Sequence, residues 1–243
     1  MKPHAGSTSD FIRGLGSVLL GTIGSRRGEG AEAALLGVDD AVAAAYEILG
    51  RAKGERRTVF ALGNGGSQVV AQHVEMDLAN RARMRARSFS STPVVTALCN
   101  DHCHEEAYER LLGTQADRGD VLLAISSSGV SRNILAAARS GRRMGMRVIT
   151  FSGFDADNPL RTAGDLNLWV DSHEYGLVEL AHETLVHRLS DLCVAAEEAE
   201  QAAGAAAEAN ARVAEAHAAG SHAAGTQAIL GAGARLNGHA ARG

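Results

Sequence analysis

Imidazole and carboxylate side chains recur at helical spacing in two segments of the chain. His73 and Asp77 are four residues apart and share one face of a helix, and Glu179, Glu183 and His187 repeat this spacing later. Such groups bind zinc, and they also act as general acids and bases. One histidine on an amphipathic helix is usually structural, but two such helices predict a shared site. The residues predicted to hold a metal or to transfer protons are His73, Asp77, Glu179 and His187, with His182 and Glu183 as runners-up.

Two turns rich in glycine or serine each follow a short apolar run. The first turn is residues 63–67 and the second is residues 126–131. A helical pattern follows each turn, so free backbone N–H groups and the helix dipole favour an anion there. The serine hydroxyls add neutral donors that suit a phosphomonoester. Together the turns predict a pocket for a sugar phosphate.

The first turn does not fit the common nucleotide-binding motifs. It lacks the Gly-Lys-Ser/Thr that ends a Walker A loop, and its glycines do not follow G-x-G-x-x-G. The sequence therefore disfavours ATP and NAD.

The elements that position these groups are predicted from an alternation of strands and helices. The strand candidates are residues 59–62, 94–98, 121–125, 148–151 and 166–170. They are apolar without alternation, as in a parallel sheet that is covered on both faces. The predicted fold is α/β, a doubly wound, five-stranded parallel sheet flanked by helices. Ligands of such sheets bind at the carboxyl ends of the strands, where both turns lie.

Three parts of the chain are predicted. Residues 1–57 are an extension of two helices, the second over residues 32–53, whose apolar faces need a partner such as another subunit. Residues 58–196 are the α/β core, which ends in a helix with a leucine stripe over residues 175–196. Residues 197–243, rich in Ala and Gly, are a helical or flexible tail.

Composition restricts the class of protein further. The 243 residues carry a net charge of −4, which argues against a general nucleic-acid binder. No run approaches the ~20 apolar residues of a membrane span. Three cysteines, an odd number in a mid-sized chain, indicate a reducing cytoplasm.

The motifs together resemble the SIS (sugar isomerase) domain, and more narrowly the phosphoheptose isomerases. The similarity covers roughly residues 10–195. It is carried by Gly-Asn-Gly-Gly-Ser at residues 63–67, Ala-Gln-His at 71–73, Asn-Asp at 100–101, Ala-Ile-Ser-Ser-Ser-Gly-Val-Ser at 124–131 and His187. The resemblance implies the flavodoxin-like SIS fold and the interconversion of sedoheptulose 7-phosphate and D-glycero-D-manno-heptose 7-phosphate. It also implies one zinc ion per site and a homotetramer with shared active sites.

The resemblance also implies roles for individual residues. His73 and His187 match the metal histidines, and Asp77, Glu179 and His187 are the candidate catalytic groups, the first two also as metal ligands. The implied substrate-binding residues are Asn64, Gly65, Gly66, Ser67, Asn100, Asp101, Ser126, Ser127, Ser128 and Ser131.

The sequence departs from the family at two positions. Asp77 stands where the family has Glu, and Glu179 stands where it has Gln. Asp reaches one methylene less far than Glu, and Glu179 adds an ionisable group that could bind zinc or replace Asp77 as the base. The choice of base stays open among Asp77, Glu179 and His187.

Two other functions compete with this isomerase. One is a non-catalytic SIS protein, either a phosphosugar-sensing regulator or an adaptor that binds a replication initiator. The other is an isomerase of a different phosphosugar, for which the altered carboxylates would be the reason. Because both histidines and two carboxylates are retained, we favour the enzyme.

Overall fold

The structure is a computed structural model that describes residues 6–27 and 34–236, with side chains as far as residue 212. The chain divides into two compact units, Met1–Ala196 and Glu197–Gly243. Each unit is described by itself.

Seven strands form one mixed sheet in the order β2-β1-β7-β6-β5-β3-β4. The strands are β1 Ile23–Arg26, β2 Ala34–Leu36, β3 Thr58–Leu62, β4 Arg85–Ser88, β5 Val121–Ser126, β6 Arg147–Ser152 and β7 Leu166–Trp169. The helices are α1 Thr8–Leu20, α2 Val38–Gly54, α3 Gly66–Asn80, α4 Thr92–Asp101, α5 Ala107–Gln115, α6 Arg132–Arg143, α7 Leu160–Ala163 and α8 Tyr175–Leu236.

The predicted doubly wound α/β fold is confirmed. Strands β3 to β7 are parallel and lie in the order β4-β3-β5-β6-β7. This is the flavodoxin-like order, in which the switch point for ligands lies between the first and third parallel strands. Here those strands are β3 and β5, which precede the two turns.

The prediction that residues 1–57 contain two helices and no strand is wrong. An antiparallel pair, β1 and β2, lies between α1 and α2, and β1 extends the sheet beyond β7. The helix predicted over residues 32–53 begins at Val38, after Gly37 in an extended conformation. Leu35 and Leu36, which fit the helical pattern, lie in β2 instead. Residues 28–33 lie outside the described part of the chain.

The second predicted strand is also wrong, because residues 94–98 lie in α4. Pro93 occupies the first turn of this helix, where its missing N–H is not needed. The strand in this part of the chain is instead β4, an edge strand with exposed Arg85 and Arg87. Its polar sequence hid it, since an edge strand needs little apolar surface.

Two apolar clusters cover the two faces of the sheet. Val59 and Ala61 of β3 face the cluster that contains α2, α3 and α8, and Phe60 and Leu62 face the cluster that contains α5 and α6. The strands are therefore buried on both sides, which explains why their sequences are apolar without alternation.

Helix α8 carries part of the site at its first turns. Its buried stripe includes Leu177, Leu185 and Leu189, and it packs into the same apolar cluster as Val70 and Val74 of α3. The second unit is helical over residues 197–236, and residues 237–243 lie outside the described part. No described helix is long and apolar enough to cross a membrane.

Candidate active site

The two turns lie side by side at the carboxyl edge of the sheet. Asn64 of the first turn and Asn133 in the first turn of α6 exchange two hydrogen bonds. Asn64 Nδ2 donates to Asn133 Oδ1 at 2.9 Å, and Asn133 Nδ2 donates to Asn64 Oδ1 at 2.8 Å. The tertiary fold thus joins the turns after β3 and β5, as the switch-point rule expects.

The serine turn has a buried hydroxyl without a hydrogen-bond partner in the described part of the chain. Ser126 Oγ accepts from the Gly129 backbone N–H and lies 3.2 Å from Ser131 Oγ. Ser127 Oγ is buried and makes no hydrogen bond to a described residue. Ser131 precedes α6, yet its side chain does not cap the helix. Since buried polar groups are normally paired, this turn suits an oxygen-rich ligand such as phosphate.

Asn100 and Asp101 form a hydrogen bond with each other rather than with these turns. Both are exposed at the end of α4, where Asn100 Nδ2 donates to Asp101 Oδ1 at 2.9 Å. The strand predicted over residues 94–98 would have placed them at a strand end, but that segment is helical. No described hydrogen bond joins them to either turn. Their role as substrate-binding residues stays a prediction.

Helices α3 and α8 bring three of the predicted ligands together. His73, Asp77 and His187 each offer a ligand atom within 4.8 Å of the other two. Asp77 Oδ2 lies 3.5 Å from His73 Nε2 and 3.5 Å from His187 Nδ1. The Asp77 side chain is only 3% exposed, and its Oδ2 has no hydrogen-bond partner among the described residues.

Glu183 completes this group from one turn before His187. Its carboxylate contacts Nδ1 of His73. A carboxylate on the second ring nitrogen is the usual partner of a metal-binding histidine, because it fixes the proton on that nitrogen. With that proton on Nδ1, the Nε2 atom of His73 presents its lone pair to Asp77 Oδ2, which is also an acceptor and lies 3.5 Å away. This arrangement fits a bound cation, and His73, Asp77 and His187 are the residues that would hold it.

Glu179, a residue of α8, lies outside this group. Its carboxylate lies against the start of α3. Its two carboxylate oxygens are 2.5 Å from the position that a Cβ on Gly66 would take. The side chain is half-buried and makes no hydrogen bond or ion pair with a described residue. The N-terminus of α3 favours negative charge there. An unpaired carboxylate thus lies against the first turn, where a base could meet a sugar.

Gly66→Ala tests this contact. We expect turnover to fall by about 100-fold, because the new methyl group displaces the Glu179 carboxylate and small misplacements of a reacting group are costly. The protein should stay folded, since the atoms that must move are at the far end of the flexible Glu179 side chain. Gly50→Ala in α2, where nothing lies within 4 Å of the new Cβ, is the control. Equal turnover of both variants would contradict the placement of Glu179.

His182, a runner-up from the sequence, belongs to the core. It is fully buried, its Nε2 donates to the Ser152 carbonyl at 3.1 Å, and its ring contacts Phe151. Burial lowers the pKa of His182 from 6.5 to about 4, against the opposing effect of the Ser152 hydrogen bond. The ring is therefore neutral near neutral pH and supports the end of β6.

The buried His182 predicts a loss of stability in acid. Its folded pKa lies below the unfolded one, so stability is full above about pH 6.5 and falls as the pH approaches 4, by about 3 kcal/mol at the limit. Urea unfolding at several pH values should show a shallower decline in His182→Gln than in the wild type. His173→Gln, a change to an exposed histidine, should keep the wild-type decline.

Asn133 and Glu183 show the limits of the sequence-based site. Asn133 was not predicted, and its only signal is a polar residue before the apolar Ile134 and Leu135 at a helix start. Glu183 was a runner-up to Glu179 because both fit the same helical face. His104, which lies 3.2 Å from Asn133 Nδ2, was also missed.

The chain is similar to known proteins over its α/β unit. The profile of the SIS domain matches residues 33–153. A phosphoheptose isomerase of Halorhodospira halophila is 33% identical over 156 residues, 61% of this chain and 79% of that protein. The phosphoheptose isomerase of Streptomyces coelicolor is 36% identical over 159 residues, 61% of this chain and 68% of that protein. The solved phosphoheptose isomerase of Neisseria gonorrhoeae superposes with a TM-score of 0.59 at 25% identity, over 63% of this chain and 85% of that one.

The fold and the two turns thus define a SIS domain. With these relatives, the chain belongs to the phosphoheptose isomerase family of enzymes. The resemblance that the sequence motifs indicated is confirmed.

Proposed function

We propose that the protein isomerises sedoheptulose 7-phosphate to D-glycero-D-manno-heptose 7-phosphate. One observation carries this proposal: the carboxylate of Glu179, which has no partner among the described residues, lies against the glycine turn. Glu179 is on the helix that also carries His187. The names of the relatives support the same reaction. The product would enter the synthesis of heptose nucleotides or of other heptose-containing metabolites.

In this proposal the serine turn binds the phosphate. The hydroxyls of Ser126, Ser127, Ser128 and Ser131 and the N-terminus of α6 would donate to its oxygens. Asn64, Gly65, Gly66 and Ser67 would contact the sugar from the first turn, and Asn100 and Asp101 from α4. Gly65 has a φ of 54°, in the left-handed region that suits glycine, so the turn keeps its backbone open to a ligand.

The divalent metal of the proposal is zinc. His73, Asp77 and His187 would hold it, with Glu183 orienting His73. Two imidazoles and a carboxylate form a donor set typical of catalytic zinc. When bound, the metal would polarise the carbonyl oxygen of the sugar.

We assign the role of base to Glu179 rather than to Asp77. Asp77 is buried between two histidines, and its other oxygen, Oδ1, lies 3.8 Å from Arg81. Its short side chain therefore suits a ligand that stays in place. Glu179 is unpaired and reaches the first turn, so it can take the proton from C1 of the ketose and return it to C2 through a cis-enediol(ate).

A second proton must move between the oxygens of the sugar. In the aldose, O1 is the carbonyl oxygen and O2 carries the proton that O1 had in the ketose. His187 is 50% exposed, and its Nδ1 lies 3.5 Å from Asp77 Oδ2. We assign its Nε2 to this transfer.

The proposed assembly is a homotetramer of the cytoplasm. Large apolar side chains are exposed in the N-terminal part, among them Leu20 and Leu35, and on α3 at Val69 and Met76. No residue of α4 is buried in the single chain. Burial of these surfaces between subunits would supply the missing partners, and light scattering after gel filtration measures the number of subunits.

Turnover of sedoheptulose 7-phosphate, followed by NMR with and without a chelator, tests the function. We expect formation of the aldose in the metal-loaded protein and its loss after chelation. Tight binding of the ketose without turnover in the metal-loaded protein would instead favour a phosphosugar-sensing regulator. Turnover of another phosphosugar alone would replace the substrate.

A further inference from the structure

His104 connects an exposed turn to the first glycine turn of the site. It lies just before α5 and is exposed, and its Nε2 is 3.2 Å from Nδ2 of Asn133. Asn133 is 1% exposed and pairs with Asn64. The chain of contacts therefore runs from His104 through a buried amide to a residue of the proposed substrate pocket.

The hydrogen bonds around Asn133 indicate which tautomer of His104 faces it. Asn133 Oδ1 accepts from Asn64 Nδ2 and from the backbone N–H of Ile134 at 3.0 Å, so this atom is the carbonyl oxygen. Its Nδ2 has two protons, of which one goes to Asn64 Oδ1. The other points to His104 Nε2, which must accept it. In this arrangement Nε2 of His104 is the acceptor, and the ring proton lies on Nδ1.

A second contact from the same segment supports this arrangement. Tyr108, four residues after His104, is buried and donates from Oη to the Gly63 carbonyl at 2.7 Å. The start of α5 thus holds the first turn at two points, the backbone through Tyr108 and the Asn64 side chain through His104.

We propose that His104 is a positioning residue of the active site, which as the Nδ1–H tautomer fixes the paired carboxamides of Asn133 and Asn64 in one orientation. With the pair fixed, Asn64 has one N–H and one lone pair left for the sugar. A buried amide proton without an acceptor is unfavourable, so loss of His104 frees Asn133 to rotate and breaks the match with Asn64. This proposal depends on the proposed function only for the identity of the substrate.

Two variants separate the hydrogen bond from general structure. His104→Gln keeps an acceptor that can reach Asn133, whereas His104→Leu has none. We expect His104→Leu to raise KM for sedoheptulose 7-phosphate about tenfold, as for one lost hydrogen bond to a buried group, with kcat near the wild-type value. His104→Gln should restore KM to within about twofold. Thermal unfolding shows whether either change acts through stability.

NMR of the substrate-free protein supplies a readout that does not depend on activity. Long-range ¹H–¹⁵N correlation should show Nε2 of His104 unprotonated in the wild type. The side-chain amide signals of Asn64 should move in His104→Leu and return in His104→Gln.

A protonated Nε2 would overturn the proposal. So would a His104→Leu variant with wild-type KM or wild-type Asn64 signals, or a His104→Gln variant as impaired as His104→Leu. If the wild type does not turn over the ketose, the proposed function fails, and the two NMR readouts alone decide the role of His104.

Discussion

Glu179→Gln is expected to lower turnover of sedoheptulose 7-phosphate by about a thousandfold, while the ketose still binds and the metal stays in place. The size of the effect is that of removing a general base, and Gln keeps the shape of the side chain but cannot accept a proton. Glu179 lies outside the group formed by His73, Asp77 and His187, so metal content should not change. Turnover, calorimetric binding of the ketose and metal analysis measure the three quantities.

Asp77→Asn is the matched comparison for the second carboxylate. It too should lose turnover, but together with metal, because Asp77 Oδ2 lies between the two histidines. If Asp77 were the base, Glu179→Gln would stay active. Exchange of solvent deuterium into the recovered ketose adds a direct test, since it requires only the first proton transfer.

The double variant Asp77→Glu with Glu179→Gln reverses both departures from the family pattern at once. If the base moved from position 77 to position 179 in this chain, the double variant should recover turnover that Glu179→Gln alone has lost. Failure to recover would mean that more than these two side chains separates this site from its relatives.

The pairing of His73 with Asp77 could be predicted because the spacing of these two residues is local. His73 and Asp77 lie four residues apart on α3, and this separation alone places them on one face. The position of the two turns followed from the strand order rule, which depends only on which strands precede them. These parts of the site needed no knowledge of how the helices pack.

The contacts between α3 and α8 could not be predicted in this way. Glu179 and Glu183 are one turn apart on the same face of α8, so either could meet His73 from the sequence alone. The relative position of the helices decides, and it places Glu183 at His73 and Glu179 at Gly66. That choice separates the metal group from the candidate base.

The wrong prediction of the second strand has a different physical cause. The valines at residues 94 and 95 look β-prone, but Pro93 opens a helix there, and no residue of that helix is buried. The edge strand β4 is short and rich in arginine, so hydrophobic pattern gives it no weight. Asn100 and Asp101 were therefore expected at a strand end and lie at a helix end instead.

His187→Ala is expected to abolish turnover and to lower metal content, with the fold intact. The ring packs edge-on against His73, with centroids 4.8 Å apart, and it supplies both a ligand atom beside Asp77 and the nitrogen assigned to proton transfer. Its side chain is half exposed, so removing it leaves no large cavity, and thermal unfolding should change little. Thr184→Ala is the control, because it shortens an exposed side chain whose hydroxyl donates only to the Leu180 carbonyl of the same helix.

The two roles of His187 can be separated by a further change. His187→Gln leaves a neutral side chain that can offer an oxygen to a metal but cannot carry a proton between sugar oxygens. If His187 acts only as a ligand, this variant should keep part of the turnover when metal is supplied in excess. If it also transfers the proton, turnover should stay absent even when the metal content matches that of the wild type, because the hydroxyl proton then has no carrier. Wild-type rates in His187→Ala would exclude both roles of His187. Asp77 and Glu179 would then be the remaining candidate catalytic groups.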